Sequence, residues 1–306
     1  MAIWLITGGC GFIGSHLADA LIARGDTVRI LDDLSTGKRE QVDPRCTVIV
    51  NDVAREGVAA HALEGVDGCW HLAAIASVTR SNTAWVETHQ VNLTGTIRLL
   101  EAARRVRPGA PLPVVYASSA AVYGANDRLP LAETAITCPL TAYGADKLGS
   151  ELHARVAGHV HGVPTIGFRF FNVYGPRQDP ASPYSGVISI FADRITRRQP
   201  ITLFGDGTQT RDFVYVGDVV RFLLKGMERA TTSASVFNVC TGRRTSILEL
   251  AHTLFRLRGH EVPIHHAPPR AGEIPHSLGD PEPAAAALGI RADMALEAGL
   301  QRTLRA

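Results

Sequence analysis

The sequence predicts an α/β fold: a doubly wound parallel sheet covered by helices on both faces, followed by a smaller C-terminal domain. Two observations carry this expectation. Short apolar runs alternate with helix-length stretches as far as Gly175, and the first run ends in a glycine cluster that opens a helix.

The elements follow in order. "AIWLIT" is apolar and stops at glycines, and "FIGSHLADALIARG" has helical spacing. "TVRILDD" reads as the second strand, "CTVIVND" as the third and "GCWHLAA" as the fourth. "PVVYAS" makes a fifth and "PTIGFRFFN" a sixth, with helices over Thr83–Arg105 and Tyr143–Gly158 between the later strands. Past Gly175 prolines and glycines gather in "YGPRQDPASPYSG" and the rhythm is lost. The sequence therefore divides into residues 1–174 and 175–306. "RDFVYVGDVVRFLLKGM" and "VFNVCTG" look like a helix and strand that return to the first domain near 212–242.

Composition narrows the function classes. A 306-residue chain with 45% hydrophobic and 20% charged residues fits a globular protein with about two domains. The net charge is only +2, and pairs such as Arg104-Arg105 or Arg197-Arg198 are too short to grip nucleic acid. The opening "MAIWLITGGCGFIG" lacks a basic leader and a cleavage site, and no run reaches the ~20 apolar residues that span a bilayer. Five scattered cysteines without a CxxC pair suggest free thiols in a reducing compartment, so the expectation is a cytoplasmic protein. His260, His265, His266 and His276 lack a regular ligand spacing, and no metal is expected.

The first strand runs into "TGGCGFIG", where Gly8, Gly11 and Gly14 sit at a strand-to-helix turn. Glycines there let a pyrophosphate approach the backbone, and the helix amides attract its charge. An acid, Asp32, ends the next strand about 20 residues on, the place of a residue that binds the adenosine ribose. Its carboxylate would repel a 2′-phosphate and favours NAD over NADP.

With a nicotinamide cofactor in the same domain, "YGADK" acquires a chemical meaning. Tyr143 and Lys147 share a helix face at i and i+4. A neighbouring ammonium lowers a phenol toward the working range of a base. "YASSAAVYG" adds Ser118 and Ser119 at the C-terminal end of the fifth strand, where open α/β sheets place their ligands.

Together these residues resemble the extended short-chain dehydrogenase/reductase family, in particular its nucleotide-sugar 4-epimerases. The likeness covers nearly the whole chain. It includes Thr7–Gly14, Asp32, Asp52-Val53, His71–Ala74, Ser118–Gly124 and the YxxxK pair, and continues through Arg169–Pro180, Gly205–Val216 and Arg270–Asp280. It implies a Rossmann domain and a smaller domain that clamp a nucleotide diphosphosugar. By this resemblance Ser119, Tyr143 and Lys147 are catalytic. Gly8, Gly11, Phe12, Ile13, Gly14, Asp32, Asp33, Ser35, Thr36, Gly37, Asp52, Val53, Leu72, Ala73, Ala74 and Asn92 join Tyr143 and Lys147 around NAD. Ser77, Val78, Ser118, Ser119, Asn172, Arg211, Arg270 and Ser277 face the UDP-sugar. The arginines suit a diphosphate because a guanidinium donates two coplanar hydrogen bonds. The resemblance also implies a homodimer joined by Thr83–Arg105 and Tyr143–Val160.

Three features bear on the reaction. Dehydratases and decarboxylases of this class need acidic side chains after the fifth strand, whereas Ala120 and Ala121 cannot move protons. Asp179 after Gln178 is a poor neighbour for a uronic-acid carboxylate. Ser277 stands where the resemblance places the wall of the C2 pocket: tyrosine there restricts the enzyme to plain hexoses, and a small residue admits an N-acetyl group. The expected reaction is interconversion of UDP-GlcNAc and UDP-GalNAc, with UDP-glucose and UDP-galactose as further substrates. The alternatives are a UDP-glucose 4-epimerase, or another NAD-dependent nucleotide-sugar epimerase or reductase. Ala76 and Phe170 depart from hexose-specific epimerases, which often carry lysine and tyrosine there.

Overall fold

The computed structural model describes residues 1–182, 186–269 and 274–305. The first part of the chain lays down β1 (Ile3–Thr7), α1 (Phe12–Ala23), β2 (Thr27–Asp32), β3 (Thr47–Val50), α2 (Val58–Leu63), β4 (Gly68–His71), α3 (Val78–Thr83), α4 (Trp85–His89), α5 (Gly95–Arg105), β5 (Val114–Ser119), α6 (Ala142–His161) and β6 (Thr165–Phe170). A π-helical turn, Gln90–Thr94, joins α4 to α5, so the helix expected over Thr83–Arg105 carries one widened turn. Then come β7 (Asn172–Tyr174), α7 (Val187–Thr196), β8 (Ile201–Phe204), β9 (Thr210–Arg211), β10 (Phe213–Tyr215), α8 (Val216–Arg229), β11 (Ser235–Val239), β12 (Thr245–Ser246), α9 (Ile247–Arg258), β13 (Ile264–Ala267), α10 (Glu282–Leu288) and α11 (Leu296–Arg305).

Seven strands form one sheet in the order β11-β6-β5-β4-β1-β2-β3. The pairs β1/β2, β1/β4, β2/β3 and β4/β5 are parallel. The order reverses direction between β1 and β4, the switch point where open sheets of this kind bind ligands. Every residue of β4 and β6 is buried, which explains why these strands read as continuous apolar runs rather than alternating ones. Leu5, Leu31, Cys69, Val114 and Tyr116 from the sheet pack with Leu63, Leu99, Ala103 and Ala154 from the helices in one core cluster.

Two compact units result. The first comprises residues 1–124, 137–169 and 220–237; the second comprises 125–136, 170–219 and 238–306. In the second unit short strands pair as β7/β10 and β8/β13, both parallel, and β9/β12, antiparallel. Asp212, wholly buried just after β9, ties three of that unit's segments together. Its carboxylate accepts from the Thr241 amide and hydroxyl at 2.8 and 2.6 Å, from the Gly242 amide at 2.9 Å and from the Gly279 amide at 3.3 Å.

Among the described residues no helix is long and apolar enough to cross a membrane. All five cysteines are free thiols, and only Cys138 is exposed.

Candidate active site

The glycine turn is shaped by close approach. Gly8 adopts φ +71°, and a Cβ there would lie 2.7 Å from the Ala73 amide nitrogen, so β1 and the segment after β4 meet backbone to backbone. At Gly14 an added Cβ would lie 2.2 Å from the Gly8 carbonyl oxygen. Gly11 is different: its added Cβ would meet only the Gly8 oxygen, at 3.2 Å. Gly11 is also the N-cap of α1 and supplies no capping side chain. Phe12, Ile13 and Gly14 thus form a first turn whose amides no side chain caps, a cradle for a pyrophosphate.

Asp32 ends β2 and is 6% exposed. One carboxylate oxygen accepts from the Cys10 amide and the other from the Leu34 amide, both at 2.9 Å. Burial pushes its pKa up while these two amides pull it down. A carboxylate has about four lone-pair sites, so capacity remains for ribose hydroxyls. Asp33 accepts from the amide and hydroxyl of Ser35, and a Cβ on Gly37 would sit 2.9 Å from an Asp32 oxygen; Thr36 is exposed between them. Asp52 accepts from the Ala54 amide, and Val53 is buried beside the helices. These features fit NAD: an uncapped helix start for its phosphates and a fixed acid for its ribose.

The other wall is the segment Leu72–Ala74, held by a polar chain. His71 is buried, receives or gives hydrogen bonds to Thr7 Oγ1 at 2.7 Å and Thr96 Oγ1 at 2.9 Å, and is pushed down to about 3 by burial, so it is neutral. The Ala73 amide donates to Thr7. Asn92, in the π-turn, brackets Ile75, accepting from its amide at 2.7 Å and donating to its carbonyl at 3.1 Å. Ser77 accepts from the Arg80 amide and caps α3, leaving Val78 exposed.

Ser119, Tyr143 and Lys147 come together where β5 meets the start of α6. Thr141 caps that helix by accepting from the Gly144 amide. The Ser119 hydroxyl is hydrogen-bonded to the half-buried Tyr143 phenol. The Lys147 Nζ lies 5.8 Å from the Tyr143 ring centroid and donates to the Ala117 carbonyl at 2.8 Å. Burial pushes Tyr143 up, and the Ser119 hydrogen bond pulls it the other way. Lys147 is itself pushed down to about 8 by burial, with Asp146 opposing. In this chain burial of the phenol, opposed by Ser119, sets the direction of the shift at Tyr143. Ser118 turns elsewhere: its hydroxyl is 2% exposed and donates to Glu151.

In the second unit Asn172 is exposed at the start of β7. Arg211 on β9 donates to the Thr210 carbonyl at 2.9 Å. Ser277 is half-buried, and its segment is pinned on both sides. The Ser277 amide donates to Thr210, the Leu131 amide to Leu278, and the Asp280 amide to Leu131. Arg270 lies outside the described residues. Among the described residues no group of three or more histidines, cysteines and acids could hold a metal.

Residues 4–240 match the NAD dependent epimerase/dehydratase family. The chain belongs to this family. Its relatives include the UDP-glucose 4-epimerase of Mycolicibacterium smegmatis, 34% identical over 306 residues, covering 98% of this chain and 96% of the relative. Among solved structures, UDP-N-acetylglucosamine 4-epimerase from Methanobrevibacter ruminantium, in complex with UDP-N-acetylmuramic acid, is 32% identical with a TM-score of 0.93, covering 99% of this chain and 97% of that one. UDP-glucose 4-epimerase from Thermus thermophilus, in complex with NAD, is 34% identical with a TM-score of 0.91, covering 99% and 98%. The chain is a nucleotide-sugar 4-epimerase, an isomerase, and its cofactor is NAD.

Two groups around the epimerase's site lay outside the residues predicted to be functional. Thr7, His71 and Thr96 anchor the wall facing the glycine turn. Glu151 stands four residues after Lys147, as Lys147 stands four after Tyr143, and that repeat of helical spacing was the available signal. Two predictions arise from this geometry. Gly14→Ala should lower the NAD bound per purified chain and cost about 1–3 kcal/mol through overpacking against Gly8, read by cofactor release on denaturation and by melting. Glu151→Leu should cost about 3–5 kcal/mol by leaving the Arg169 guanidinium buried without its carboxylate, read by chemical denaturation.

Proposed function

We propose that this epimerase interconverts UDP-GlcNAc and UDP-GalNAc, and accepts UDP-glucose and UDP-galactose as well. The observation that carries the reading is Ser277: a small side chain on a segment held by hydrogen bonds to Thr210 and Leu131. Space for a C2 N-acetyl group then depends on the side chain, since the backbone has little freedom to retreat. Asn172 and Arg211 are proposed to hold the nucleotide diphosphate, with Arg270 completing the set. Ser77 and Val78 are proposed to border the sugar.

Tyr143 takes the proton from the sugar's C4 hydroxyl, and Ser119 hydrogen-bonds the same oxygen. NAD, held by the glycine turn and Asp32, would supply hydride exchange at C4 and a positive ring charge near Tyr143. Lys147, anchored on Ala117, holds a further positive charge beside the phenol and would help to hold the cofactor's ribose. After the keto sugar turns over, Tyr143 returns the proton. Ala120 and Ala121 offer no acid to expel water from the ketone, so the sequence ends in epimerisation. The substrate is tested by NMR of the purified enzyme with UDP-GlcNAc and, separately, UDP-glucose. The GalNAc epimer is expected; conversion of UDP-glucose alone would discard the N-acetyl reading.

A homodimer is the proposed assembly. Trp85, Val86 and Ile97 are exposed along the α4–α5 helix, and Leu152, Val156 and Val160 are exposed at i, i+4 and i+8 on α6, which packs beside it. Such an apolar stripe on neighbouring helices is what a two-fold helical interface buries. Val156→Glu should convert the dimer to monomer in light scattering; an unchanged mass would remove this face from the interface.

A further inference from the structure

Tyr143, Lys147 and Glu151 stand at i, i+4 and i+8 on α6, and each engages one of three consecutive residues at the end of β5. Lys147 donates to the Ala117 carbonyl, Ser118 donates to Glu151, and Ser119 bonds Tyr143. Glu151 is also the hub of a buried network. Arg169, on β6, donates from Nε to Oε1 at 2.9 Å and from Nη2 to Oε2 at 2.7 Å, and its Nη1 donates to the Tyr123 hydroxyl at 2.8 Å. Ser118, Glu151 and Arg169 are each less than a tenth exposed.

We infer that Ser118 and Glu151 are positioning residues: they lock α6 against β5 in the one register that brings the Ser119 and Tyr143 oxygens to a common proton. A slip along α6 of a single residue would move Tyr143 by about 1.5 Å and rotate it about a quarter turn. That is enough to spoil a proton transfer that needs heavy atoms near 3 Å. The fixed anchor matters because the two reacting side chains stand on different elements, Ser119 at the end of β5 and Tyr143 on α6. A bidentate Arg169 holds the Glu151 carboxylate in one orientation, and a carboxylate acceptor makes the Ser118 bond a strong one. The resemblance to known epimerases places Ser118 against the substrate; its buried hydroxyl, already given to Glu151, assigns it here instead.

This inference rests on Tyr143 being the base, and the test separates the two. Ser118→Ala, Ser118→Thr and Tyr143→Phe are compared as NAD-loaded enzymes for kcat and KM with the UDP-sugar that the wild type converts. Ser118→Ala should lose about tenfold in kcat with KM within about twofold, because the lost interaction serves the transition state alone. Ser118→Thr, which keeps the hydroxyl, should recover most of the rate. Glu151→Gln should show the same split, since a neutral amide fixes Arg169 and Ser118 less firmly. Tyr143→Phe retaining turnover would overturn the reading of the base. Tyr143→Phe inactive, with Ser118→Ala at wild-type kcat or with a raised KM at unchanged kcat, would overturn the positioning role alone.

Discussion

Tyr143→Phe is expected to abolish turnover while leaving the NAD content and UDP-sugar affinity of the purified enzyme close to wild type. The substitution removes one oxygen from a half-buried ring and nothing from its packing. General acid–base groups contribute about 10²–10⁴-fold, and here the same phenol must both remove and return the proton. Ser119 cannot replace it: a hydroxyl is a far weaker base than a phenolate, and Ser119 itself accepts from the Ala121 amide at 3.1 Å. Lys147 cannot replace it either, because its Nζ is drawn to the Ala117 carbonyl. More than a tenth of wild-type kcat in the variant would sink the assignment of the base.

The second large effect is one of specificity. Ser277→Tyr should lower kcat/KM for UDP-GlcNAc by about 100-fold while UDP-glucose turnover falls by much less, as expected when a side chain fills the space of a substrate group. The clash cannot be relieved by backbone movement. Gly279, two residues on, donates to Asp212, and the segment is bonded to Thr210 on one side and to Leu131 on the other. Assays of both sugars in parallel check this. Equal losses would mean that the tyrosine had disturbed the fold, and an unchanged rate on UDP-GlcNAc would show that Ser277 does not border the acetamido group.

Much of the first unit was legible in the sequence because its elements are locally specified. The apolar runs of β1, β4, β5 and β6 lie in a buried parallel sheet, and Gly8 and Gly14 of the first turn are imposed by contacts a Cβ would violate. The placement of Asp32 at the end of β2, and of Tyr143 and Lys147 one turn apart on α6, was readable because each follows from spacing along the chain. What could not be read is non-local. Nothing in "HLAA" tells that His71 bridges Thr7 and Thr96, residues from a strand and a helix distant in sequence. Ser118 and Ser119 look equivalent as letters, and only the position of Glu151 and Arg169 sends one hydroxyl into a buried network. The balance of effects on Tyr143 was hidden likewise. Spacing shows that a lysine is near, but not that the phenol is buried and that burial drives its pKa up.

The central claim is that one tightly held NAD, with Tyr143 as base, epimerises a UDP-sugar through a transient ketone. The most direct measurement is the fate of a C4 deuterium. Purified enzyme with no added NAD is given UDP-GlcNAc and UDP-glucose deuterated at C4, and the products are followed by NMR and mass spectrometry. The account predicts a C4 epimer that retains the full deuterium label. Loss of the label to solvent, or a product formed only when NAD is supplied in stoichiometric amounts, would contradict it.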